Sequence, residues 1–205
     1  YDLIIFDDGL HTAVEPFDYY IKLLKDPRFR KKVKYIFLEV VSVTEQTALD
    51  AYLASESGDM STLYPAFQND FGGTGWPYKT YFDLLKAVRG VNQNLPEKEQ
   101  LKVIAVNAPV FWKEIDTARD LELFRLSLAG NDYTMYKIIR EYLDNFESGE
   151  KGIFLTNNRH DYKRIKNSGN KLYWNCGTFF HQLDPGRTYS VRFHNINLIF
   201  RGRKK

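Results

Sequence analysis

Four short apolar runs in this chain each stop in a cluster of carboxylates, amides or histidines. The first, Tyr1–Phe6, runs into Asp7-Asp8-Gly9-Leu10-His11, and the second, Val33–Val41, carries Glu39 at its carboxyl end. Leu101–Val106 stops in Asn107-Ala108-Pro109, and Gly152–Leu155 stops in Thr156-Asn157-Asn158-Arg159-His160. Continuous apolar runs of this length, without a polar residue at every second place, suit strands buried on both faces, as in parallel sheets.

Between the runs the period changes to that of a helix. Glu15–Leu24 has apolar residues at 17, 20, 21 and 24 and is broken by Asp26-Pro27. Gln46–Leu53, Thr80–Asn94, Thr117–Ala129 and Asp132–Phe146 follow the same pattern, the last with Met135, Ile138, Ile139, Tyr142 and Leu143 on one side. Strands alternating with helices predict one α/β domain over residues 1–205, with a mainly parallel central sheet flanked by helices.

In such a sheet the carboxyl ends of the strands share one edge, and ligands bind in the crevice outside it. Asp8, His11, Glu39, Asn107, Asn158 and His160 would then meet in one cleft, although they are spread over most of the chain. Asn107 and Asn157 have a plainer reading, since asparagine is a common turn and cap residue. The chemistry on offer is histidine plus carboxylate. No G-x-S-x-G elbow is present, and Cys176 has no evident activating partner. A histidine oriented by a carboxylate can deprotonate water, whereas His11, His160 and Glu39 together could instead ligate a divalent metal.

Residues 55–78 interrupt the alternation. They contain a helical piece at 62–69 and the run Phe71-Gly72-Gly73-Thr74-Gly75-Trp76-Pro77, which lacks the spacing of a phosphate-binding loop. This insertion is read either as a lid over the cleft, with Trp76 as its anchor and a substrate contact, or as a surface loop. Towards the carboxyl terminus, Lys171–Phe180 favours strand by propensity, Asp184-Pro185-Gly186 is a turn, and Tyr189–Phe200 reads as a last strand. His194 falls inside that strand and is placed outside the catalytic set.

Composition bounds the rest. A net charge of +3 with scattered basic residues gives no footprint for nucleic acid. No run of 18 apolar residues suggests a transmembrane helix. A single cysteine excludes a disulfide framework. The 15 Phe and 14 Tyr could line a ligand pocket. The chain opens directly on a strand, which fits an exported, periplasmic protein whose signal has been removed, or else a cytoplasmic one. Oligomeric state is left open.

Asp8-Gly9-Leu10-His11, with Thr12, Ala13 and Glu15, resembles the G-E-x-x-H-G-T-x-E opening of the erythromycin esterase-like family. The wider superfamily takes in ChaN-like haem-binding proteins and the TraB/Tiki group. Glu39 resembles the family's strand-end glutamate, Asp132-Tyr133-Thr134-Met135 its R-D-x-x-M helix, and Asn157-Asn158-Arg159-His160 its H-N-x-H loop. The order holds over residues 3–195. The departures are Asp7 for a glycine, Asp8 for a glutamate, Asn131 for an arginine and Asn157 for a histidine. The resemblance implies a metal-independent, esterase-like hydrolase of a small-molecule substrate. His160 or His11 would be general base, held by Glu39 or Asp8, with Glu15, Asn107 and Asn158 near the substrate. The ChaN-like branch implies the alternative, a non-catalytic protein that binds haem or a divalent metal, and the departures also fit a member that has lost its chemistry. The resemblance further implies a helix over Gly177–Leu183, against the strand propensity there.

Overall fold

The computed structural model describes residues 1–7, 13–70, 79–157, 159–164, 166–168 and 171–193, with backbone alone for 166–168, 171 and 172. In chain order the elements are β1 (Leu3–Asp7), α1 (Val14–Lys25), α2 (Pro27–Arg30), β2 (Val33–Ser42), α3 (Gln46–Ala54), α4 (Tyr64–Gln68), α5 (Lys79–Asn92), β3 (Lys102–Asn107), α6 (Ala118–Ser127), α7 (Asn131–Asp144), β4 (Lys151–Thr156), β5 (Lys166–Ser168), β6 (Lys171–Tyr173), α8 (Cys176–Leu183) and β7 (Thr188–Arg192). Among the described residues, no helix is long and apolar enough to cross a membrane.

The sheet order is β3-β2-β4-β1-β7, and every pairing in it is parallel. The four apolar runs are therefore neighbours in one sheet, as the strand–helix alternation predicts. β4, late in the chain, inserts between β1 and β2, so the carboxyl ends of β1, β4 and β2 stand side by side. The register of β2 against β3 shifts between Leu38 and Ser42, which carries β2 past the end of β4. β5 and β6 form a separate antiparallel pair.

Period-2 alternation divides the strand side chains between two cores. Ile36 and Leu38 of β2 and Ile153 and Leu155 of β4 face the larger one, with α1, α3, α4 and α5 packed over them through Phe17, Tyr20, Leu49, Phe67, Tyr81 and Leu84. Leu3, Ile5, Phe37 and Phe154 face the smaller one, beneath Met135, Tyr136 and Ile139 of α7 and Phe180 of α8. Gly152 sits where a Cβ would lie 2.7 Å from the Phe37 ring, so the smaller core relies on that glycine for its fit.

The insertion at 55–78 differs from a loop or a detached flap over much of its length. A 3-10 turn at Met60–Leu63 and α4 bury Leu63, Ala66 and Phe67 in the larger core, where Phe67 packs edge-on against Phe82. Leu63, Ala66 and Phe67 supply the apolar face that draws this segment inward. The Gly-rich run 71–78 with Trp76, on which the lid expectation falls, lies outside the described residues.

Residues 176–183 are helical, as the family resemblance implies and strand propensity does not. Asn175 caps α8, its side chain accepting from the Thr178 N–H at 2.9 Å. Strand propensity holds only for the short β6 before it.

Candidate functional site

The smaller core stays apolar until the carboxyl edge of the sheet, then becomes charged. On β1 the residue after Leu3 and Ile5 in the same alternation is Asp7. On β2 it is Glu39 after Phe37, and on β4 it is Thr156 after Phe154. Asp7, Glu39 and Thr156 are all buried. Leu38 of β2 pairs with Leu155 of β4, so Glu39 and Thr156 stand level on adjacent strands. The Thr156 hydroxyl donates to Glu39 Oε2, and the Asn157 N–H donates to the same oxygen at 3.1 Å. Asn157 Nδ2 reaches Glu39 Oε1 at 3.3 Å.

His160 completes the arrangement. The tight turn after β4, closed by His160 N–H to Asn157 O at 3.0 Å, swings its ring back over the sheet edge. Its Nε2 lies 3.1 Å from Glu39 Oε1, and its Nδ1 lies 2.7 Å from Asp132 Oδ1 at the start of α7. Burial by itself would push the imidazole pKa down. The charge of Glu39 and the hydrogen bond to Asp132 outweigh burial and hold the pKa up at about 10. At neutral pH His160 is thus an imidazolium with both N–H groups committed to carboxylates.

Asp132 has a second task. Its Oδ1 also accepts the Cys176 N–H at 2.8 Å, so one carboxylate joins the first turn of α7, His160 and the first turn of α8. A carboxylate at a helix N-terminus satisfies an open N–H and the helix dipole together. The Cys176 thiol is fully buried and pushed well above its usual range by burial and by the charge of Asp132, which leaves it no nucleophilic role. The loop behind His160 is tied down as well. Asp161 is buried and takes a bidentate ion pair from Arg192 of β7 at 2.8 and 2.9 Å. The Gly177 N–H donates to His160 O at 2.8 Å.

A cavity of about 350 Å³ opens beside this cluster, lined by Leu128, Ala129, Asn131, Asp132, Arg159, His160, Tyr173 and Trp174. Of the residues singled out from sequence, the structure brings Glu39 and His160 into direct contact. Glu15 is exposed in the first turn of α1, over the larger core. Asn107 is buried at the end of β3. Its Oδ1 accepts the N–H of Ala108 at 3.0 Å, a turn-stabilising bond of the kind asparagine often makes. Asp8, His11, Trp76, Asn158 and His194 lie outside the described residues. Two members of the site escaped the sequence reading of the cleft: Asp132, which looks like an ordinary acidic residue opening a helix, and Thr156, which looks like the end of a strand. Only the family motif around Asp132 pointed to it.

No family sequence model matches the chain, and no curated protein matches it in sequence. Solved structures do match in fold. Erythromycin esterase EreC in an open conformation superposes with a TM-score of 0.61 at 11% identity, covering 94% of this chain and 69% of that one. ChaN of Campylobacter jejuni, described as binding cofacial haem, gives 0.58 at 14% identity, covering 95% and 82%. A chain described under bacterial protein toxins gives 0.56 at 16% identity, covering 96% of this chain and 34% of the other. This chain thus spans only about a third of the toxin. What it shares with all three is the fold.

Proposed function

We propose that the chain is a hydrolase that activates water against an ester, without a metal. The observation behind this reading is the buried His160 imidazolium held between Glu39 and Asp132 on the wall of a cavity at the strand ends. His160 is positively charged, but its two carboxylate partners leave the trio one net negative charge and no free N–H, so it braces the cavity wall and helps to position water and ester rather than serving as an oxyanion hole. The same charge removes His160 from the role of base, because an imidazolium has no lone pair to take a proton. That role passes to His11, which the sequence puts on the loop after β1, next to β4 in the sheet. A histidine there with a near-neutral pKa would suit proton abstraction at pH 7. The fold shared with erythromycin esterase is in keeping with this chemistry.

The haem- or metal-binding alternative fits the described residues less well. His160 spends both ring nitrogens on carboxylates and so has none to offer iron. Among the described residues, no three His, Cys, Asp or Glu side chains gather as ligands.

The test is a panel of small esters assayed from pH 5 to pH 9 with the wild type, His11→Ala and His160→Gln. Hydrolysis should rise with pH through a value near 6.5–7, the ordinary range of a histidine base, and each substitution should lower kcat by about 10²–10⁴-fold. A folded wild type that cleaves no ester, or a rate indifferent to both changes, overturns the proposal.

A further inference from the structure

We propose that the cavity beside His160 takes a substrate with a flat, apolar body and a carboxylate, and that Trp174 and Arg159 select these two parts. The word substrate rests on the hydrolase reading above; the ligand chemistry does not.

The flat part follows from the walls. Trp174 lies half-buried, directly before the α8 cap residue Asn175. Its ring is braced by Phe179 at 5.3 Å between centroids, and Phe179 in turn stacks on Tyr136 at 5.6 Å. The indole face is therefore held by a row of rings anchored in the smaller core, while Leu128 and Ala129 supply apolar surface on the wall of the same cavity. A fixed indole beside aliphatic surface favours a planar apolar group, which can lie offset on the ring.

The carboxylate follows from the charges. Glu39, His160 and Asp132 sum to one negative charge, and the imidazolium has no N–H left for a ligand. Arg159 is the other cation on the wall. Its backbone N–H donates to Asn157 Oδ1 at 2.8 Å, so the residue that grips Glu39 also sets where Arg159 stands. Arg159 is exposed, and among the described residues its guanidinium has no ion-pair partner. A guanidinium offers a planar fork that matches a carboxylate bidentately. Asp132 repels an anion placed deep in the cavity. The carboxylate accordingly sits at the mouth on Arg159, and the flat body runs inward along Trp174.

The experiment compares two probes of nearly the same shape, 1-naphthoate and neutral 1-naphthalenemethanol, titrated against the protein and followed by tryptophan fluorescence, with calorimetry as a second readout. On the wild type the carboxylate should bind at least about tenfold more tightly, a preference expected of one well-formed guanidinium–carboxylate pair. Arg159→Ala should bring the two probes within about twofold of each other, and Arg159→Lys should restore part of the preference. Trp174→Leu should weaken both probes and remove the fluorescence change. Equal binding of the two probes to the wild type, binding of neither, or a preference that survives Arg159→Ala overturns the inference. If naphthoate is preferred but no ester is cleaved, the hydrolase reading fails and this one stands. If esters are cleaved with no bias towards those bearing a carboxylate, the reverse holds.

Discussion

Alternate residues of the same strands build the two faces of this sheet, yet the faces end in opposite ways. On the larger core, β2 and β4 deliver Ile36, Leu38, Ile153 and Leu155 to a layer that is apolar nearly throughout. On the smaller core, one further step along the same strands delivers Glu39 and Thr156, and Asp132 and His160 close over them. The first face resists change by packing, the second by charge balance. The polar cluster thus ends the smaller core, and the larger core keeps its apolar layer.

Deleting the cation should show the contrast most strongly. His160→Ala leaves Glu39 and Asp132 facing each other with nothing positive between them, and breaking a buried ionic group in this way costs about 3–5 kcal/mol. The triple variant with Glu39→Gln and Asp132→Asn should recover most of that loss in urea titrations. If the single variant is as stable as the wild type, the cluster holds nothing together. On the opposite face, Phe67→Ala should cost about 3–4 kcal/mol through a cavity in the larger core, with unchanged dependence on pH. A pH-dependent loss there would mean that the two faces are coupled.

Stability against pH separates them further. His160 has a folded pKa of about 10, above the 6.5 of the free side chain. Its stabilisation is therefore fully present below pH 6.5 and drains away as pH rises towards 10. Between pH 7 and pH 10 the wild type should lose about 3–4 kcal/mol more than His160→Gln does; parallel curves would place the proton elsewhere. The smallest effect belongs to Thr156→Val. It removes one of the donors to Glu39 and should cost about 1–2 kcal/mol, detectable as a lower midpoint with an unchanged denaturant slope.

Much of this architecture was legible in the sequence. Apolar runs spaced by helical periods gave the parallel sheet, and two of the strand-end residues, Glu39 and His160, do meet. The face on which each residue would lie was not legible. Strands buried on both sides have no polar alternation to count, so Asn107 read like Glu39 although its Oδ1 closes its own turn on Ala108. Asp132 was hidden for a different reason. An acidic residue in the first turn of a helix is expected for the helix's own sake, so nothing local marks it as the partner of a histidine 28 positions away. The burial of Leu63, Ala66 and Phe67 was not legible because a short helical piece flanked by glycines and serines gives no sign of which core its three apolar residues will join.

Gly177, in the first turn of α8, sets local preference against the fold. Its backbone does not adopt the left-handed conformation that would by itself call for glycine. A Cβ there would instead stand 2.4 Å from the carbonyl oxygen of Asp161, a contact with backbone that has nowhere to retreat. Alanine at this position would make the isolated segment a better helix by about 1 kcal/mol and would shut the same helix out of its seat beside His160. A selection that scored helicity alone would therefore drive this chain away from its own site.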